Sequence, residues 1–209
     1  MPMKRQDDRS LPANVRRMYV DCRYGQLHLR SAFPSNGGFD ELTTLVCLDA
    51  GPATGRVFGG LLERLGTDRS VYAPDLPGFG VSDAAPAQPS IEGHAVAIGD
   101  FIDQMRFRKL DLLGYEGGVS IAAVLAAARP DQVRRVVMVA APAFDAAGDL
   151  PVVQQPVLVL RPKDGLWEFT PRARELLPNA TFVDLPGQGS SLLDAAPEVV
   201  ARHVRTFLD

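Results

Sequence analysis

Three times in succession between residues 43 and 130, an apolar run of strand length passes through a Gly- or Pro-punctuated loop into an apolar pattern of helical period. Residues 43–48 lead through Gly51-Pro52 to Val57, Leu61, Leu62 and Leu65, and residues 70–73 lead through 75–83 to a helix expected over 90–105, with a stripe of Ile91, Ala95, Ile98, Phe101, Ile102 and Met105. Residues 110–113 lead through Gly114 to an alanine-rich stretch that stops at Arg129-Pro130, where proline ends helical continuation. An apolar run without alternation suits a strand covered on both faces. Strands alternating with helices therefore predict a mostly parallel sheet with helices on both sides, an α/β fold. Further strands are expected at residues 135–139, 156–160 and 181–185, with helices near 170–177 and 197–208. Ligands of such sheets sit at the carboxyl ends of the strands, so the loops after Leu48, Ala73, Gly114, Leu160 and Leu185 are where chemistry is expected.

Ahead of this pattern, residues 17–22 and 26–31 alternate apolar and polar around Tyr24-Gly25, which predicts a hairpin. The first sixteen residues are polar and without amphipathic period, and read as a loose tail before a single domain over 17–209. A length of 209 residues with 46% hydrophobic and 22% charged residues is enough for one well-buried core. The formal net charge of −3, with Lys and Arg scattered, offers no basic stripe for nucleic acid. The longest apolar runs, such as 136–143, fall far short of the roughly 20 residues that span a bilayer, and residues 1–17 are charged rather than leader-like. A cytoplasmic protein with no membrane association is expected. Cys22 and Cys47 lie in apolar alternating segments and are expected to be buried thiols.

The most informative stretch is Leu112-Leu113-Gly114-Tyr115-Glu116-Gly117-Gly118, a strand entering a helix through a glycine-rich turn. It has the frame of a nucleophile elbow, in which flanking glycines permit close backbone approach and the middle side chain stands at the helix N-terminus. Here that residue is Glu116. On this stretch the sequence resembles the α/β-hydrolase fold family, and the resemblance extends over nearly all of residues 17–209. Residues 45–52 look like the strand and oxyanion loop, and residues 73–83 (APDLPGFGVSD) closely match the turn after the next strand. Residues 156–164 look like the strand that delivers the triad acid, and 185–193 resemble the loop that normally carries histidine.

The resemblance implies a nucleophile position at Glu116, an acid at Asp164 and a base position at Ser190, so two of three triad positions depart from Ser-His-Asp. Asp49 stands where the family's oxyanion loop often has histidine; amides of Gly117 and of Ala50 or Gly51 are expected to retain an anion-accepting pocket. Three histidines are available as substitutes. His28 lies in the hairpin, expected to be remote from the strand ends, while His94 and His203 lie on apolar helix faces and read as packing residues. Several roles for the elbow remain open on sequence alone. It is a degenerate site whose Glu116 merely tolerates the turn, a carboxylate nucleophile like the aspartate of the family's dehalogenases and epoxide hydrolases, or a site where Glu116 or Asp164 is a general base on water. Convergence of Asp49, Glu116 and Asp164 would also suit a hard cation, and a pocket used without turnover would serve small-molecule or protein binding.

Family members commonly insert a helical cap before the strand at 156, whereas the 15 residues 141–155, with Pro142, Gly148 and Pro151, leave no room for one. A shallow, open site is expected, with Trp167 as a candidate pocket wall or contact for a homodimer. The glycines of the elbow are not GxGxxG and no phosphate-binding lysine follows them, so no cofactor is expected. The leading expectation is an atypical or catalytically degenerate family member; the alternatives are a hydrolase of a small ester or lactone using carboxylate-activated water, and a binding module.

Overall fold

The alternation of Leu45 and Cys47 with Val46 and Leu48 divides one strand between two cores, and this division organises the molecule. In the computed structural model, which describes residues 12–35, 42–51, 54–141, 151–162, 173–185 and 191–209, the strands are β1 (Asn14–Cys22), β2 (Gly25–Phe33), β3 (Thr44–Asp49), β4 (Val71–Pro74), β5 (Leu110–Tyr115), β6 (Val133–Val139), β7 (Val157–Pro162) and β8 (Ala180–Leu185). They form one eight-stranded sheet in the order β1-β2-β4-β3-β5-β6-β7-β8. The opening hairpin pairs antiparallel, β2 pairs antiparallel with β4, and every other pairing is parallel. The predicted α/β sheet and N-terminal hairpin are thus present; β1 begins at Asn14, inside the stretch read as tail.

The helices are α1 (Gly59–Leu65), α2 (Ile91–Gln104), α3 (Gly118–Ala128), α4 (Ala173–Leu176), α5 (Leu192–Ala195) and α6 (Pro197–Leu208), with a 3-10 turn at Gly55–Phe58. Val46, Leu48 and Leu112 join Ile98, Phe101 and Ile102 of α2 and Ile121 and Leu125 of α3 in one core. Leu45, Cys47 and Leu113 join Phe58, Leu61 and Leu65 around α1, and Val200, Val204 and Leu208 of α6, in the other. Because side chains on a strand alternate faces, four consecutive apolar residues, Leu45 to Leu48, serve both cores. Cys47 is fully buried, which pushes its thiol well above the usual range, and it is inert packing as expected.

Ser90 caps α2, its Oγ accepting from Gly93 N at 3.2 Å, so the helix starts one residue later than the periodicity suggests. At the other end Phe107 N donates to Ile102 O and Arg106 N to Asp103 O, a Schellman closure that places Arg106 at φ +57°. Glycine is the usual residue there, and a side chain in the left-handed region costs about 1–2 kcal/mol.

Charged groups at the amino ends of the strands tie α6 to the sheet. The Asp111 carboxylate, fully buried at the start of β5, accepts from Arg134 Nε at 3.0 Å and Nη2 at 2.7 Å, and the same Nη2 donates to Leu208 O at 2.7 Å. Arg69, also buried, donates to Asp68 at 3.0 Å and to Asp209 at 2.5 Å.

The register of the central strands positions the site. Asp49 lies opposite Tyr115 across β3 and β5, and Tyr115 opposite Val139 across β5 and β6, so the carboxyl ends of three adjacent strands finish level.

Candidate active site

At the end of β5 the chain turns sharply into α3. Glu116 is left-handed at φ +48°, a conformation that costs a residue with a side chain about 1–2 kcal/mol. Its N–H donates to Val139 O at 3.0 Å and its carbonyl accepts from Val119 N at 3.1 Å, which holds the turn against both β6 and the helix. The glycines on either side make that turn possible. A Cβ on Gly114 would lie 2.6 Å from Val119 Cα, and one on Gly118 only 2.0 Å from Leu48 O. A Cβ on Gly117 would stand 3.0 Å from Ala50 Cβ, so the elbow is pressed against the loop that follows β3. This is the strained strand-to-helix turn expected of residues 112–118, with a half-buried carboxylate at its apex.

Two neighbours define the chemistry around Glu116. Tyr115, 4% exposed, sets its ring edge-on to Phe58 at 6.4 Å between centroids and hydrogen-bonds through its phenol to the Glu116 side chain. Burial, and then the Glu116 charge, push the phenol well above its usual range, so it is a donor at any ordinary pH. Asp49 is 6% exposed, its Oδ1 accepting from Gly51 N at 3.2 Å and its Oδ2 finding no partner among the described residues. Burial raises its carboxyl above the ordinary value, and the Glu116 charge adds to the rise against the opposing Gly51 and Ala50 amides. Asp194 on α5 contributes a further negative charge near Tyr115. Tyr115 and Asp194 were not singled out in the sequence as site residues. Strand alternation places Tyr115 on the α1/α6 face, but nothing local announces the approach of Asp194.

The turn of Asp49 changes the oxyanion loop. Amides of Ala50 or Gly51 were expected to face a ligand, yet the Gly51 N–H donates to Asp49 and the Ala50 amide also stabilises that carboxylate. The Gly117 amide has no acceptor among the described residues. Asp164, Trp167 and Ser190 lie outside the described residues, so the structure brings together Asp49, Ala50, Gly51, Glu116 and Gly117 of the expected site. Among the described residues no group of three His, Cys, Asp or Glu side chains is arranged to hold a metal ion.

The histidines are all placed. His28, expected to be remote from the strand ends, instead lies beside the carboxyl end of β4, where Asp75 N donates to its carbonyl at 2.9 Å. The difference arises because β2 runs antiparallel to β4, which brings the start of β2 to that edge. Its Nδ1 is 2.9 Å from Asp75 Oδ2, and Asp75 also accepts from Gly55 N at 2.7 Å and Val81 N at 3.3 Å. The pair is a buried brace for the loop after β4. Three strand spacings, about 14 Å, separate β2 from β5, too far for a proton transfer to Glu116. His94, 5% exposed beside Phe79, and His203, half-buried on α6, are both held below the usual imidazole range by burial.

An acid whose carboxyl is raised by burial is most costly when ionised. Asp49→Asn keeps the acceptor for Gly51 and supplies donors towards Glu116, so it is expected to stabilise the fold by about 1–2 kcal/mol at pH 7. Because the folded-state value is raised, the native Asp49 favours folding most below its unfolded value and loses that advantage as pH rises through the folded one. The gain from Asn should therefore vanish at acid pH, which denaturant titrations at pH 7 and about pH 3.5 would measure.

A strained glycine-framed elbow at the carboxyl edge of a sheet in this order defines an α/β-hydrolase. Residues 43–203 match the family model of the alpha/beta hydrolase fold, and the chain belongs to that family. It is 30% identical over 120 residues to the 2-hydroxymuconate semialdehyde hydrolase of Pseudomonas sp. (strain CF600), a match covering 56% of this chain and 38% of the relative. The chain thus spans well under half the length of that curated relative. Among solved structures it is similar to Cfl2 of Burkholderia cenocepacia, with a TM-score of 0.82 and 14% identity over 93% of this chain and 96% of that one. The carboxylesterase CesB of Bacillus subtilis superposes with a TM-score of 0.80 and 17% identity over 97% and 95% of the two chains. At these identities the structural matches speak to the fold alone.

Proposed function

We propose that this chain is an atypical α/β-hydrolase that has given up serine-type acyl transfer, and that its elbow serves as an acidic binding site for a small molecule carrying hydrogen-bond donors or a positive charge. The observation that supports this reading is the oxyanion loop, where Asp49 takes the Gly51 amide that an esterase would reserve for its transition state. An oxyanion hole works by aiming preorganised donors at developing negative charge. Here two carboxyl groups, Asp49 and Glu116, lie close enough to feel each other's charge, and ionised they would oppose an alkoxide beside them instead of stabilising it. The elbow also lacks the hydroxyl that would attack, and His28 is committed to Asp75 three strands away. The same acids, with the Tyr115 phenol bonded to Glu116, favour an ammonium or hydroxyl group at the open end of the strands. The short connection between β6 and β7 favours a site without a helical cap, whose ligand would be held from one side.

A second reading rests on the unpartnered Asp49 Oδ2. A neutral Asp49 would itself donate to an oxyanion while Glu116 takes a proton from water, and the pair would hydrolyse a small ester or lactone. In that cycle water attacks the carbonyl, Glu116 holds the proton released, and that proton leaves with the alkoxide.

One experiment separates these readings. Purified chain is incubated with a fluorophosphonate probe and with a panel of activated esters and lactones, alongside Glu116→Gln and Asp49→Asn proteins of verified fold. The binding-site reading expects no labelling and no turnover above the two variants. Turnover lost in Glu116→Gln would establish the carboxylate hydrolase and overturn the first reading; labelling by the probe would overturn both.

A further inference from the structure

A second site lies at the opposite edge of the sheet, where the amino ends of β3, β4 and β5 meet the end of α2. A groove of about 630 Å³ opens there between residues 42–44, Ser70 and Tyr72 on one side and the segment 105–109 on the other. Its apolar surface comes from Tyr72, Met105 and Phe107, with Tyr72 and Phe107 in ring contact at 5.3 Å. Its charge comes from Arg106, Arg108 and Lys109, and no carboxylate is among the described lining residues. Lys109 donates to the Asp131 carbonyl, whereas Arg106 and Arg108 make no ion pair among the described residues. Two guanidinium groups without an ion pair among the described residues thus share the groove with an aromatic surface, in a chain whose net charge is −3.

Arg106 carries the argument further. It occupies the left-handed position of the Schellman closure after α2, at φ +57°, where glycine would close the helix without strain. Strain of this kind persists at binding and catalytic sites because the side chain is needed there. The closure also aims the chain so that Arg106, Phe107 and Arg108 all reach the groove. We propose that this groove binds a small organic anion, an aryl or acyl body resting on Tyr72, Met105 and Phe107 with its phosphate or carboxylate head held by Arg106 and Arg108. Guanidinium groups suit such heads because they donate in a planar fork. The site is independent of the elbow, from which the length of the strands separates it.

The test is a fluorescence titration of the full chain with anilinonaphthalene sulfonate, an aryl body with a fixed anion, displaced in turn by phenyl phosphate, benzoate, phenol and inorganic phosphate. Phenyl phosphate or benzoate should displace the probe at concentrations where phenol and inorganic phosphate do not. The paired substitution Arg106→Gly with Arg108→Gln should weaken probe binding about tenfold or more, since two charge-assisted contacts are lost. Arg106→Gly alone should weaken binding while leaving the thermal midpoint equal to or above that of the unmodified chain, because glycine relieves the turn. Glu116→Gln should leave the affinity unchanged. The proposal fails if the paired variant binds as tightly as the unmodified chain, if phenol competes as well as phenyl phosphate, if inorganic phosphate alone competes equally, or if Glu116→Gln abolishes binding.

Discussion

Gly118→Ala should lower the unfolding midpoint by about 6–12 °C, the shift that a loss of about 3 kcal/mol produces in a domain of this size. The added Cβ would fall 2.0 Å from Leu48 O, 2.4 Å from Leu48 C and 2.9 Å from Asp49 Cα. All three are backbone atoms of β3, a strand paired on both sides, so no flexible side chain can give way. Relief requires α3 to move off the sheet or β3 to shift in its register, and either opens the joint between the elbow and the oxyanion loop. The same substitution should therefore alter the surroundings of Asp49 and Glu116, seen as a changed pH dependence of stability. Gly78→Ala is the control for glycine replacement as such: a Cβ there meets nothing within 4 Å, and its cost is limited to the strain of φ +84°. Equal losses from the two substitutions would show that β3 and α3 are not packed as described.

The second large effect is expected from Arg134→Ala, about 3 kcal/mol at neutral pH. Arg134 is the bidentate partner of Asp111, whose side chain is fully buried, and it also donates to the end of α6 through Leu208 O. Burial already raises the Asp111 carboxyl above its ordinary value despite the opposing pull of Arg134. Without the guanidinium the rise is larger and the carboxylate must fold either unpaired or protonated. A carboxyl raised in the folded state contributes most below its unfolded value and loses that contribution as pH rises through the folded one. The loss caused by Arg134→Ala should accordingly be greatest near neutrality and shrink towards pH 4. Asp111→Asn in the Arg134→Ala background should recover part of the loss at pH 7, because it removes the charge left without a partner. A cost independent of pH would mean that Arg134 acts by packing and by its bond to Leu208 alone.

Much of the fold is legible in the chain because it depends on short-range patterns. Residues 45–48 and 110–113 carry no polar interruption except Asp111, and such runs are stable only when covered on both faces, which leads directly to β3 and β5 between two helical layers. The elbow is legible for a related reason: Gly114, Gly117 and Gly118 are spaced so that only a turn of close backbone approach explains them, and Glu116 between them is where the strained residue is found. The start of α2 was misplaced by one residue, since periodicity marks the apolar stripe and not the cap at Ser90.

What the chain alone does not disclose are contacts between residues far apart in it, made by side chains with several rotamers. His28 was read as remote from the strand ends, but the antiparallel pairing of β2 with β4 brings it to Asp75, 47 residues away, where it braces a loop. Asp49 was placed correctly at the end of β3, whereas its turn onto the Gly51 amide, which closes the oxyanion loop, depends on the elbow pressing against Ala50. The bond between adjacent Tyr115 and Glu116 likewise exists because the positive φ of Glu116 turns its side chain out of strand alternation. Arg106 at a glycine position is unremarkable in sequence until the Schellman closure gives it a left-handed backbone. Local periodicity and glycine spacing thus determined the α/β-hydrolase sheet and the position of its elbow, because burial and backbone sterics act over a few residues. The orientation of the acids at that elbow and the raised carboxyl of Asp49 were decided only by tertiary structure, because burial, field and hydrogen-bond partners there are supplied by β3 and β5 together.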